Sequence, residues 1–181
     1  LKQTKKKSQA TKKISQWLQK EVPNSICQEA RCPNRGECFD KGVLTFMILE
    51  TVGTRNCAFC SVRHGKPMPP DITEVDQILH SIEKLSLKFV VLTSPNRDDL
   101  PDGGAQHYAN IVQRIHSEYP HIKVEVLIPD FQGKTEDLDI VMAAKPDVLN
   151  HNIETVPALY KGIRKGSLYH RSLDVLSYVK E

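Results

Sequence analysis

No stretch of this 181-residue chain is long or apolar enough to cross a membrane. No apolar core of a secretory signal stands near its start. Charge of one sign is scarce as well: the formal net charge is +3, too small a surplus to argue for a nucleic-acid partner. Much of it sits at the N-terminus, where Lys2, Lys5, Lys6, Lys7, Lys12, Lys13 and Lys20 meet no acid before Glu21. Such a block reads as a solvated tail. It contains no arginine, which weighs against an organelle transit peptide and favours a bacterial cytoplasm over a mitochondrial matrix. The chain begins at Leu1 rather than methionine, so a preceding piece is expected. Cysteine is sparse and odd in number, at five. Tight groups of odd count fit a disulfide framework poorly, and fit metal-bound thiolates in a reducing compartment better. The apolar and charged fractions, 39% and 26%, are those of a globular chain long enough for one sizeable core.

What is present is concentrated in those cysteines. Cys27, Cys32 and Cys38 are spaced C-x4-C-x5-C, and Cys57 and Cys60 form C-x2-C within Thr54-Arg55-Asn56-Cys57-Ala58-Phe59-Cys60. Two such groups ahead of an α/β pattern suggest iron–sulfur clusters. A cluster held by three thiolates leaves one iron open, an arrangement suited to reductive cleavage of S-adenosylmethionine. The usual spacing for it is C-x3-C-x2-C, and here the first position is Gly53. Simpler readings stand beside this one. Cys57 and Cys60 alone fit a zinc knuckle or a redox pair, and the first group fits a zinc site completed by a histidine such as His64, although zinc pairs are usually C-x2-4-C.

Along the chain, Ile14, Trp17, Leu18 and Val22 recur at helical spacing up to Pro23, and a cysteine-rich loop follows with Pro33, Asn34 and Gly36 as turn residues. Residues 43–49 are a β-rich apolar run, with the second cysteine group in the loop after it. Pro67, Pro69 and Pro70 hold the next segment extended. Helical stripes at 75–85, 105–115, 138–142 and 156–163 then alternate with strand runs at 89–92, 124–128 and 147–149, and a last helix starts at Leu173. The order β-α-β-α-β-α-β-α predicts an α/β fold, a partial (β/α) TIM-type barrel with a parallel sheet. A basic tail and cysteine-rich extension would occupy residues 1–40, and an incomplete barrel 41–181. Reactive groups of such barrels gather at the strand C-terminal face. That face would receive the Cys57 loop, Asn96-Arg97-Asp98-Asp99 and Asn150-His151-Asn152-Ile153-Glu154. Taken singly, Asp98 and Asp99 also fit solvated loop acids, and Glu154 a helix cap.

From Ser25 onward the chain resembles the lipoyl synthases, radical-SAM enzymes. The resemblance lies in Cys27-Gln-Glu-Ala-Arg-Cys32-Pro-Asn-Arg-Gly-Glu-Cys38, in Thr54-Arg-Asn-Cys57-Ala-Phe-Cys60, and in Gly65-Lys-Pro-Met-Pro-Pro70. It continues through Val91-Leu-Thr-Ser-Pro-Asn96-Arg-Asp-Asp-Leu-Pro-Asp-Gly-Gly104, Val124-Glu-Val-Leu-Ile-Pro-Asp-Phe131 and Asn150-His-Asn-Ile-Glu-Thr-Val156. It implies a barrel of the radical-SAM kind and insertion of two sulfur atoms, at C6 and C8, into an octanoyl group on a carrier-protein lysine. It implies two 4Fe–4S clusters, S-adenosylmethionine, and an electron donor such as a flavodoxin or ferredoxin, with no nucleic-acid or membrane partner. By resemblance, Cys27, Cys32 and Cys38 hold the auxiliary, sulfur-donating cluster, and Cys57 and Cys60 are two ligands of the radical cluster. Glu154 joins these at the catalytic centre, and Asn96, Arg97, Asp98, Asp99, Asn150 and Arg171 line the cofactor or substrate pocket.

Three departures qualify the resemblance. Gly53 stands where the family has a cysteine, which implies a labile cluster and impaired radical cleavage; the alternative is an inactive metal-binding or carrier-binding relative. The family's barrel continues for about two more βα units, then a C-terminal Arg-Ser-Ser-Tyr segment whose serine completes the auxiliary cluster. This chain stops short of both, as a fragment or a shortened relative would. Pro95 replaces a small aliphatic residue.

Overall fold

The structure, a computed structural model, describes residues 9–20 and 32–180. Helix α1 (Gln9–Lys20) comes first. It starts earlier than the apolar spacing predicts, because its first turn is polar and needs only one buried contact. Thr11, 3% exposed, supplies it by donating to Asp40 Oδ1 at 2.9 Å, while Lys12 and Lys13 face outward. Val22, Pro23 and Cys27 lie outside the described residues. The predicted cysteine loop contains a short helix, α2 (Arg35–Asp40), begun by the Asn34 carbonyl, which accepts from Glu37 N and Cys38 N. Phe39 anchors it in the core.

Strand β1 (Val43–Met47) is followed by two very short strands, β2 (Val52–Gly53) and β3 (Arg63–His64), which pair with each other in parallel. Then come α3 (Glu74–Leu85), β4 (Phe89–Thr93), α4 (Ala105–Glu118), β5 (Lys123–Leu127), α5 (Thr135–Ala143), β6 (Val148–Asn150), α6 (Tyr160–Ile163) and α7 (Tyr169–Tyr178). The main sheet runs β1-β4-β5-β6, every pair parallel, with Leu44 beside Val90, Val90 beside Val124 and Leu149 beside Val126. Each strand is short, mostly apolar and joined to the next through a helix, the arrangement that produces parallel pairing. The expected partial α/β barrel is therefore the fold. Leu44, Val90, Leu92, Val124 and Val126 are fully buried against Ile78, Ile82, Ile111 and Ile115 of α3 and α4. Ile14 and Leu18 of α1 join the same core, and Trp17 Nε1 donates to Ser81 Oγ at 3.3 Å.

The apolar run continues to Leu49, but β1 ends at Met47. Leu49 (φ 62°) and Glu50 (φ 80°) are both left-handed, a conformation that costs a non-glycine residue about 1–2 kcal/mol. Buried hydrogen bonds hold the turn: Leu49 N donates to Glu74 Oε2 at 3.1 Å, and Arg97 Nη1 donates to Leu49 O at 3.0 Å. The turn sends the chain across the mouth of the sheet, where the Cys57 loop lies.

Candidate active site

Because all four strands of the main sheet are parallel, the loops after them share one face. The Cys57 loop is fixed to that face by backbone contacts. Thr54 N donates to Asn96 O at 2.9 Å, Ala58 N to Ile163 O at 2.8 Å, and Cys60 N closes a turn onto Cys57 O at 3.1 Å. The half-buried Cys57 thiol lies 3.9 Å from the Lys165 carbonyl, whereas Cys60 is exposed. Burial, and then the neighbouring Cys60 thiolate, push the Cys57 thiol above its ordinary pKa.

The dominant electrostatic feature is a buried ion network around Arg55. Its guanidinium grips Asp98 with Nε to Oδ2 at 2.6 Å and Nη2 to Oδ1 at 2.7 Å, and grips Asp130 with Nη2 to Oδ1 at 2.7 Å and Nη1 to Oδ2 at 3.0 Å. Nη1 also donates to Ser167 Oγ at 2.9 Å, and Arg171 Nη1 reaches Asp130 from the far side at 3.3 Å. The network ties the Cys57 loop to the ends of β4 and β5 and to the segment before α7. Bidentate guanidinium–carboxylate geometry is the strongest ionic hydrogen bonding available to a protein. Neither Arg55 nor Asp130 is among the residues singled out from the sequence, although both fall inside the segments that carry the resemblance. Their partnership spans 75 residues, and no local pattern announces a pair so far apart.

Asp130 carries a pH prediction. Burial works to raise its pKa, but the hydrogen bonds and charge of Arg55 outweigh it, and the net shift is downward. A carboxylate whose folded pKa lies below its unfolded value contributes fully above about pH 4. That contribution is lost as pH falls through the folded value. The denaturant midpoint of the wild type should therefore decline more steeply between about pH 5 and pH 2 than that of Asp130→Asn. Parallel declines would remove Asp130 from the acid response.

The other expected residues divide into two sets. Asn96 and Glu154 meet, with Asn152 and Arg164, around a small cavity of about 100 Å³ at the ends of β4 and β5. Glu154 is left-handed (φ 67°) and accepts from Asn152 Nδ2 at 2.9 Å. Arg97, by contrast, is 1% exposed and turned into the scaffold. It is chelated by Asp99 through two 2.9 Å contacts and donates to the carbonyls of Leu49 and Met68. Asp98 and Arg171 belong to the Arg55 network. Asn150 donates to Glu125 Oε1 at 2.7 Å at the end of β6. His151 is buried between Ile128 O and Ser172 Oγ, and desolvation foremost lowers its pKa. In the first cysteine group, Cys38 rides on α2, partly buried against the core, and Cys32 lies just before that helix; Cys27 falls outside the described residues.

Gly53 is buried in β2 within this site, and its φ is not left-handed, so the backbone there does not require glycine. What glycine lacks is a side-chain donor. The donors on this loop are the two thiolates of Cys57 and Cys60, and among the described residues no group of three or more His, Cys, Asp or Glu side chains is gathered as a metal site. The residues present therefore do not complete a three-thiolate cluster site.

Comparison with known proteins gives these observations a family. The family model described as the radical SAM superfamily matches residues 51–181. The chain is 51% identical over 166 residues to a lipoyl synthase of Methylobacillus flagellatus, covering 91% of this chain and 51% of that protein. It is 47% identical over 175 residues to one from Shewanella amazonensis, covering 96% and 54%. In structure it is similar to the crystal structure of methylornithine synthase, with a TM-score of 0.59 at 14% identity over 76% of this chain and 41% of that one, a likeness of fold alone. The chain belongs to the radical SAM superfamily, and nearly its whole length is similar to lipoyl synthases. It spans about half the length of the curated relatives it matches. No helix among the described residues is long and apolar enough to cross a membrane.

Proposed function

We propose that this chain is the cysteine-bearing part of a lipoyl synthase, which inserts two sulfur atoms at C6 and C8 of an octanoyl group carried on a protein lysine. The observation that carries this reading is the roughly half identity to curated lipoyl synthases along nearly the whole chain, both cysteine groups included. The partners are an octanoylated carrier domain and a flavodoxin- or ferredoxin-type electron donor, in a bacterial cytoplasm. The basic N-terminal segment and cysteine-rich stretch (1–40) serve as an extension to the barrel portion (41–181). In this reading Cys27, Cys32 and Cys38 hold the auxiliary cluster.

The small cavity between Asn96 and Glu154, where amide, carboxylate and guanidinium groups converge, is well below the roughly 300–1,000 Å³ of a pocket that buries a whole small ligand, so it would receive only the charged end of S-adenosylmethionine. Asn150 lies one strand-end away at β6. Arg97 and Asp99 act indirectly, by fixing the turn that delivers the Cys57 loop to the mouth. Cys57 and Cys60 are retained for the radical cluster, but with Gly53 in the first position of the C-x3-C-x2-C spacing no step through that cluster follows from this chain as it stands.

Anaerobic reconstitution with iron and sulfide tests the reading. One cluster's worth, about four irons per chain, is expected, held by the first cysteine group and lost in Cys32→Ala. About eight irons would mean that the Cys57 loop is completed by another donor. Zinc in place of iron and acid-labile sulfide would overturn the assignment.

A further inference from the structure

A second cavity, of about 810 Å³, opens beside α6 and α7. Five basic side chains reach its wall, Lys161, Arg164, Lys165, His170 and Arg171, and no Asp or Glu does. Two of the five are already engaged. Arg164 donates to Tyr160 Oη at 2.6 Å and Ser172 Oγ at 3.0 Å, and Arg171 faces Asp130. The side chains of Lys161, Lys165 and His170 have no hydrogen-bond or ion-pair partner among the described residues, and all three residues are exposed. Basic groups gathered without an answering acid set up a positive potential that an anionic surface relieves.

The remaining wall is aromatic and aliphatic, with Tyr169 and the 44%-exposed Leu168 prominent. Charge at the rim with tyrosine and leucine between is the make-up of a protein-binding surface, rather than of a groove that tracks phosphates. The cavity also adjoins the site. The Lys165 carbonyl faces the Cys57 thiol, the Ile163 carbonyl accepts from Ala58 N, and Arg164 lines both this cavity and the small one. Anything seated here sits against the Cys57 loop.

We infer that this cavity docks an acidic surface segment of the acyl-carrying protein, held by Lys161, Lys165 and His170, an inference that rests on the carrier-protein reading above. Docking there places the carrier beside the mouth while its acyl-lysine enters. The interaction is mainly electrostatic, so it weakens with salt.

The test is a binding measurement that requires no turnover. A fluorescently labelled, non-acylated lipoyl domain is titrated with the full chain at about 50 and 300 mM salt. The titration is repeated with Lys161→Glu/Lys165→Glu and with a control, Lys13→Glu/Lys84→Glu, which reverses two exposed lysines elsewhere. The cavity variant should bind about tenfold or more weakly at low salt and show a flatter salt dependence, with the control unchanged. If reversal at the exposed sites unfolds the chain, Lys161→Gln/Lys165→Gln carries the same comparison. Wild-type binding that neither cavity variant weakens overturns the docking site and leaves the carrier reading intact. No wild-type binding at either salt overturns both. Binding of a DNA duplex through the same lysines, tighter than that of the lipoyl domain, overturns the proposal in favour of nucleic acid.

Discussion

Replacing Gly53 with cysteine should raise the iron held by the reconstituted chain by about four atoms, one further cluster, with acid-labile sulfide in proportion. The local structure is ready for the side chain. Gly53 lies in β2 with its carbonyl accepting from Gly65 N at 3.0 Å, and its φ is one that any L-residue adopts. A Cβ there would stand 3.3 Å from Pro95 Cβ and 3.9 Å from the carbonyls of Arg55 and Arg63. Only the first contact is tight, and the atom opposite is one that every residue except glycine presents. Pro95 is therefore a minor obstacle, relieved by a shift of a few tenths of an ångström. The loop that carries Cys57 and Cys60 is fixed independently at Thr54, Ala58 and Cys60, so the new thiolate would join two that are already placed. Anaerobic iron and sulfide counts, with electron paramagnetic resonance of the reduced protein, read the outcome directly. If Gly53→Cys loads no more iron than the wild type, the missing thiolate is not what limits this site.

Arg55→Met should cost about 3–5 kcal/mol, the usual penalty for removing one partner of a buried ion pair. The side chains of Arg55 and Asp130 are 5% and 1% exposed, so deletion of the guanidinium strands a carboxylate away from water. At this chain length the melting temperature falls by about 2–4 °C for each kcal/mol, a drop of roughly 10 °C. The partners should show it in a cycle. Arg55→Met combined with Asp130→Asn should recover part of the loss, because the deeply buried carboxylate is then gone and the charges left over, Asp98 and Arg171, are the more exposed ones at 30% and 23%. Removing the exposed Lys41, which pairs with Glu37 on the surface, should leave the melting temperature unchanged. Thermal unfolding followed by circular dichroism distinguishes the cases. A drop at Arg55 no larger than at Lys41 would show that the network contributes nothing to holding the mouth together.

The parts of the fold legible in sequence were those with a period. Phe89 to Leu92 reads as a buried strand because its apolar residues are contiguous, Val124 to Ile128 reads as a strand because only Glu125 interrupts its apolar run, and Ile78, Ile82 and Leu85 read as a helix face because they recur at helical spacing. Helix α2 and strands β2 and β3 are too short to show a period and are held by tertiary contacts, such as Thr11 with Asp40 and Gly65 N with the Gly53 carbonyl. The candidate site divides along the same line. The position of the Cys57 loop followed from strand order, and the missing ligand from spacing. The direction in which Asn96-Arg97-Asp98-Asp99 points did not. Four polar residues in a row all look available for a ligand, yet Arg97 and Asp99 are paired with each other and with backbone carbonyls, while Asp98 turns to Arg55. Only the carbonyls of Leu49 and Met68, which accept from Arg97, and the distant Arg55 decide between these uses.

The left-handed turn at Leu49 and Glu50 has a consequence for how a guest is acquired. Its cost is met when the chain folds, by Arg97 and Glu74, and the loop beyond it is held by backbone hydrogen bonds at Thr54, Ala58 and Cys60. Binding a cofactor there need not freeze the loop, so little ordering entropy is subtracted from the affinity. In the proposed reading, such preorganisation would make the mouth tolerant of substitution at the ligand positions themselves: a thiolate would be lost or regained at one residue while the frame that presents it keeps its shape.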